Sequence, residues 1–232
     1  MMYIKLDHAS VIYGSKKALD DVSITFEKGH VYCILGANGC GKSTLVKEII
    51  NQNKKVNEIA YVAQESAGNI ALTTYEYISL GRYDKSKFFG GLTKRDKELI
   101  DASISKMGIS DLNDHIIDTL SGGEKQRAMI ARALAQDSNW VIMDEPTSSL
   151  DAKHVKLMTE IISELKNNNK SVILVIHDLN AAYMVADKFV LMKNGKIINV
   201  VDELSESLLS DTYDTLFDEV DIGGRKHFIL KC

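Results

Sequence analysis

Residues 36–43 read GANGCGKS, a glycine-rich run closed by a lysine and a hydroxyl. A polyphosphate needs many donors at close range. Gly36, Gly39 and Gly41 let backbone N–H groups turn inward with no Cβ in the way. Lys42 would set its ammonium on the β- and γ-phosphates of a nucleoside triphosphate, and Ser43 would ligate Mg²⁺. The helical pattern beginning near Lys42 points its positive end at the same anion. A glycine-rich turn with a surface lysine is the plain alternative; the apolar strand before the run and the helix after it argue against that. No G-x-G-x-x-G is present, which argues against a dinucleotide site. Cys40 is read as a small residue that fits the loop, the rival being a thiol made reactive by the helix start.

Two further segments share one grammar, a buried strand with a polar group at its end. WVIMDEP places Asp144 at the carboxyl edge of a sheet, suited to a Mg²⁺ contact, with Glu145 next in line to polarise an attacking water. VILVIHDL places His177 in the same way, as a γ-phosphate contact. Gln64 follows the short strand Ile59–Val62 and would touch both Mg²⁺ and that water. A second anion site is written in LSGGEKQR, residues 120–127. Ser121 and Glu124 fit a capping box, and Gly122-Gly123 add bare N–H groups at a positive helix end. One chain thus carries two phosphate-binding helix starts and one lysine-bearing loop. Two copies placed head to tail would sandwich each nucleotide between one loop and the partner's Ser-Gly-Gly.

These groups need a scaffold. Strand patterns cover Tyr3–Val11, Val22–Phe26, Val31–Leu35, Trp140–Met143 and Val172–Ile176, with helical patterns at Lys125–Ala135 and Ala152–Lys166. Phe189–Met192 and Ile197–Val201 flank the turn Lys193-Asn194-Gly195-Lys196 as a hairpin. The expected architecture is α/β, a mainly parallel sheet flanked by helices. Residues 1–72 and 120–201 would form the core, 73–119 an inserted helical subdomain with a loop near Phe89-Gly90-Gly91, and 202–232 a tail. The tail segment 202–221 carries eight acids and no Lys or Arg. Leu209, Tyr213, Leu216 and Val220 give it one apolar helical face, its acids being read as a solvated surface.

The 232 residues are 45% apolar and 26% charged, with a net charge of −4, ordinary for a folded protein and unlike a dedicated nucleic-acid binder. No apolar run reaches the ~18 residues of a membrane span, and the N-terminus lacks a secretory signal pattern. Three cysteines form no metal spacing. A cytoplasmic chain is expected, and any work at a membrane requires a separate spanning subunit.

Taken together, GANGCGKST, Gln64, LSGGEKQR, VIMDEPTSSLD and VIHD resemble the ATP-binding cassette family in kind and order. The resemblance implies the P-loop NTPase fold, ATP and Mg²⁺ as ligands, and roles at matching positions. Tyr13 would stack on adenine. Lys42, Ser43 and Thr44 would hold phosphate and Mg²⁺, with Gly36, Asn38, Gly39, Cys40 and Gly41 forming the rest of the loop. Gln64 would link the γ-phosphate to a membrane partner. Ser121, Gly122, Gly123 and Glu124 would form the signature that clamps the partner's ATP. Glu145 would be the general base, Asp151 part of a dimer-spanning loop and His177 the switch histidine, with Ser43, Gln64 and Asp144 around the metal.

The segment LTTYEYISLGRYDKSKFFGGLTKRDKELIDASISKMGISDLNDHIIDTLSGGE is similar to ATPases of importers for iron–siderophore, haem and cobalamin chelates, above all at Leu80-Gly81-Arg82-Tyr83. That likeness implies the motor of an iron-chelate importer, peripheral on the cytoplasmic face of the membrane. Its partners would be a second copy, a permease and an extracytoplasmic substrate-binding protein, with no nucleic acid. Rival readings are an exporter motor, a cassette ATPase acting on DNA or ribosomes, and a P-loop kinase; the last has no use for LSGGE, and the second lacks its usual coiled-coil insert. One departure stands out. Lys42 and Gln64 are only 22 positions apart, so the strand-rich arm usual between them is shortened or missing. Ala63 also stands where proline is common.

Overall fold

Val31–Leu35 (β3) is buried at every position because it is paired on both edges, parallel to Ser171–Val175 (β6) on one side and to Lys188–Lys193 (β7) on the other. Parallel strands covered on both faces read as unbroken apolar runs. The computed structural model describes residues 3–53, 58–64, 71–83, 91–146, 152–223 and 226–231. They divide into two compact units, Met1–Asn57 with Lys156–Cys232, and Glu58–Val155.

In the first unit the strand order is β6, β3, β7 and Lys196–Val201 (β8). β7 and β8 are antiparallel around Asn194 and Gly195, both at positive φ, the two-residue hairpin that their sequence predicts. Helix α1 (Lys42–Gln52) follows β3, and α6 (Leu179–Val185) follows β6. Tyr3–Tyr13 (β1) and Lys16–Glu27 (β2) form an antiparallel pair. β2 begins six residues before the expected Val22, because irregular pairing between Ala9 and Val11, with Asp21 at φ 51, breaks the alternation used to recognise it.

The tail differs from its expected helix. Helix α7 covers only Glu206–Tyr213 and stops where Asp214 turns left-handed, at φ 54. Phe217–Asp221 (β9) and Lys226–Leu230 (β10) then pair as antiparallel strands. Val220 therefore lies on a strand, and Leu216 is exposed. The four apolar residues never share one helical face, because the helix ends after the second.

In the second unit, Ile59–Val62 (β4) runs parallel to Trp140–Asp144 (β5), from Ile59 beside Trp140 to Val62 beside Met143. Helices α2 (Thr74–Ser79), α3 (Lys94–Lys106) and α4 (Gly122–Ala135) accompany this pair, with a 3₁₀ turn at Leu80–Arg82. Each helix opens on a capping box: Thr73 with Glu76, Thr93 with Asp96, Ser121 with Glu124. Helix α5 (Ala152–Asn167) carries the chain between the units. The expected loop at Phe89-Gly90 lies outside the described residues.

Candidate functional site

In the first unit the chain leaves β3 at Leu35 and enters the glycine loop at a spot with no room for a side chain. A Cβ on Gly36 would stand 2.3 Å from the Met192 carbonyl oxygen, and one on Gly41 the same distance from that of Ala18. Gly36, Gly39 and Gly41 all have positive φ, at 152°, 75° and 113°. Gly41 is the N-cap of α1, and no side chain caps that end. Ala37, Asn38 and Gly39 are exposed at the rim, whereas Lys42 is buried. Its ammonium donates to the carbonyls of Gly36 at 2.7 Å and Ala37 at 3.1 Å, so the cation lies folded across the loop. Ser43 and Thr44 sit half-buried in the first turn of α1. Burial pushes the Cys40 thiol up, against the pull of Lys42 and Lys16.

β6 delivers His177 to the same sheet edge. The register sets Ile34 beside Val175, so the loop after β3 and the histidine after β6 leave from neighbouring strand ends. His177 is exposed, and Asp178 behind it caps α6 through the N–H groups of Asn180 and Ala181. Tyr13 ends β1 with its ring exposed, opposite Lys16 of β2.

The second unit gathers the acids. Asp144, the last residue of β5, is 1% exposed. Burial and then the Asp144 charge push the Tyr61 hydroxyl up to about 12. Glu145 follows in a left-handed conformation, φ 53, a posture that non-glycine residues hold only under constraint. The twist turns its side chain to Gln64, whose amide donates to the Glu145 carboxylate at 2.7 Å. Two residues chosen from separate stretches of sequence thus meet directly. Ser121, exposed at the start of α4, donates its hydroxyl to Glu124 at 2.6 Å and accepts from the Glu124 N–H. Hydrogen bonds to the Glu124 carboxyl, first from the Ser121 hydroxyl and then from the Ser121 N–H, hold it below its usual range. Gly122 is exposed beside it. Asp151 lies outside the described residues.

A family model described as ABC transporter matches residues 19–148. The chain belongs to the ABC transporter family. The petrobactin import ATP-binding protein YclP of Bacillus subtilis is 34% identical, covering 91% of this chain and 92% of that protein. The ferric enterobactin transport ATP-binding protein FepC of Escherichia coli is also 34% identical, covering 80% and 76%. The ABC transporter cassette MJ0796, solved as a dimer, superposes with a TM-score of 0.76 at 24% identity, over 88% of this chain and all of that one. The expected P-loop NTPase architecture is the fold of this cassette.

Three features of this ABC cassette escaped the sequence motifs. The site of a Cβ on Gly39 is 3.0 Å from the Lys16 ammonium, so a second cation reaches the phosphate loop. Its position three residues after Tyr13 was the available signal. Gln126, buried in α4, donates to the Pro146 carbonyl at 3.3 Å and ties this helix to the turn after Glu145. At the other end of α4, Arg82 donates to the carbonyls of Ala135 and Gln136 at 3.1 and 2.9 Å and to Asp96 at 2.8 Å. Beside it, a Cβ on Gly81 would stand 2.3 Å from the Arg132 carbonyl oxygen. Leu80-Gly81-Arg82 is thus a clamp on the end of α4.

Among the described residues, no helix is long and apolar enough to cross a membrane, and no group of three or more His, Cys, Asp or Glu gathers to hold a metal.

Proposed function

We propose that this cassette hydrolyses ATP to power an importer of an iron chelate, acting through a separate membrane permease. Lys42 would bind the β- and γ-phosphates, Ser43 and Thr44 would complete the cradle, Tyr13 would stack on adenine, and His177 would contact the γ-phosphate. Water attacks the γ-phosphorus, the bond to the β–γ bridging oxygen breaks, and ADP leaves with that electron pair. The water's proton passes to the Glu145 carboxylate. The observation that carries this reading is the Gln64–Glu145 hydrogen bond next to Asp144, which brings an amide and an acceptor carboxylate together.

Ser43, Gln64 and Asp144 would each offer an oxygen donor, the chemistry Mg²⁺ prefers. With the Gln64 amide nitrogen committed to Glu145, its carbonyl oxygen is the end left to serve a cation. Bound Mg²⁺ would supply charge neutralisation on the phosphates as the bridging bond breaks.

The cassette would work as a head-to-tail pair, each ATP held between one phosphate loop and the partner's Ser121, Gly122 and Gly123. The dimeric state of the MJ0796 cassette supports this reading. So does the exposure of Ser121 and Gly122 at the start of α4. The names of YclP and FepC support an iron-chelate cargo. The cassette would then sit peripherally on the cytoplasmic face, with an extracytoplasmic binding protein delivering the chelate.

Replacing Glu145 with Gln should preserve ATP binding and lower turnover by at least about 100-fold; near-normal hydrolysis would remove Glu145 as the base. Light scattering of that variant with ATP should give twice the monomer mass. Uptake of radiolabelled iron chelate by cells lacking the chain should fall and recover with the parental gene but not with Lys42→Ala. Unchanged uptake would remove the cargo and leave the ATPase reading standing.

A further inference from the structure

The acidic tail has no part in the chemistry above, yet it is bonded to the phosphate loop. The Gly36 N–H donates to the Tyr213 hydroxyl at 3.1 Å, across 177 residues of sequence. Gly36 is where the chain quits the β3 ladder, and the Met192 carbonyl closes its other side. A buried N–H at such a place needs a partner, and the tail supplies one.

Tyr213 is itself held from several directions. Its ring meets Phe217 edge-on at 5.7 Å. Lys193, next to Met192, donates to the Asp211 carbonyl at 2.5 Å and to Asp214 at 2.6 Å, pinning the end of α7. Leu209 and Thr212 on α7 are buried. Burial pushes the Tyr213 hydroxyl up to about 12, so it stays protonated in ordinary buffers. Further on, the Phe228 N–H of β10 donates to the Asn180 side chain at 3.1 Å, and Tyr183 packs between Phe228 and Phe189 at 5.9 and 6.0 Å. Asn180 opens the helix that follows His177. One segment therefore grips both the entry of the phosphate loop and the element behind the switch histidine.

We propose that the C-terminal segment is a brace for nucleotide binding and that Tyr213 is a positioning residue for the phosphate loop, an inference that rests on the ATP reading above. With the entry amide fixed by Tyr213, the loop's remaining N–H groups are held ready for phosphate. Without the hydroxyl, the fraction of molecules with a competent loop falls, and apparent affinity falls with that fraction.

The test is Tyr213→Phe in the full chain, which keeps the ring against Phe217 and removes one oxygen. The Kd for radiolabelled ATP, by equilibrium dialysis, should rise about three- to tenfold, the range expected from the net loss of one hydrogen bond. The kcat should stay within twofold, and Gly36 amide exchange should accelerate. A control variant, Phe217→Leu, loosens the packing but keeps the hydroxyl; it should lower the melting temperature with less effect on Kd. A Tyr213→Phe Kd within twofold of the parent, or unchanged Gly36 exchange, would overturn the brace. Failure of the parental chain to bind ATP would instead overturn the ATP reading.

Discussion

The two glycine-bearing helix starts are built in opposite ways. At α4 the cap is local: Ser121 and Glu124 bind each other within one turn, and the exposed glycine follows at once. At α1 the local support is the Lys42 ammonium on the Gly36 and Ala37 carbonyls, with no side-chain cap. Its cap is Gly41 in a left-handed conformation with no side-chain bond. The loop before it is shaped by Ala18, Met192 and Tyr213, which come from β2, β7 and the tail. A self-capped end keeps its form without help and can serve as a surface for a partner. An end shaped by its surroundings is as reliable as they are.

The contrast can be broken first at Gly41. Alanine there combines a strained φ with a clash against the Ala18 carbonyl, together above about 3 kcal/mol. ATP affinity by dialysis should fall more than about 100-fold, while alanine at Gly122, a helical position, should leave ATP binding by the same chain intact. Equal losses at both would erase the distinction.

Ser121→Asp separates the two duties of the α4 end. Aspartate caps helices as well as serine does, so urea stability should stay within about 0.5 kcal/mol. Its charge would oppose a triphosphate, so ATP-driven dimerisation and turnover should drop by about 10- to 100-fold. Retained turnover would reduce Ser121 to a cap.

The far end of α4 gives a smaller effect. Arg82→Ala removes three charge-assisted hydrogen bonds at a largely buried place and should cost about 2–3 kcal/mol in urea unfolding, with ATP affinity unchanged. Asp96→Asn probes the same clamp more gently. Hydrogen bonds from Thr93, and after them Arg82, hold the Asp96 carboxyl below its ordinary value of 3.8. Its stabilisation is complete above that pH and fades as pH falls through the depressed folded value. The stability difference between parent and Asp96→Asn should therefore be full at pH 7 and shrink below about pH 4.

The candidate site could be picked out because its residues are consecutive. GANGCGKS, LSGGE and the acids after WVIM each occupy one loop or strand end, and the apolar runs before them mark buried strands directly. What could not be read is what presses on those loops from elsewhere. No spacing connects Tyr213 to Gly36 or Arg82 to the end of α4, since those pairs meet only through tertiary packing. The tail misled for a related reason. Its apolar residues repeat at helical intervals, but Asp214 takes a left-handed turn and the rest pairs as strands. β2 was cut short because an irregular ladder hides its alternation. Arg82 was noticed only as part of a family likeness; its double hold on the Ala135 and Gln136 carbonyls gives that likeness a physical content.

The seam at Gly81 is too narrow to admit a methyl group. Packing that close resists compression, so the short turn and the 14-residue helix beside it should shift together. A nudge applied at Leu80 or Tyr83, both on the surface, would arrive at Ser121 roughly 20 Å away with nothing soft between to absorb it.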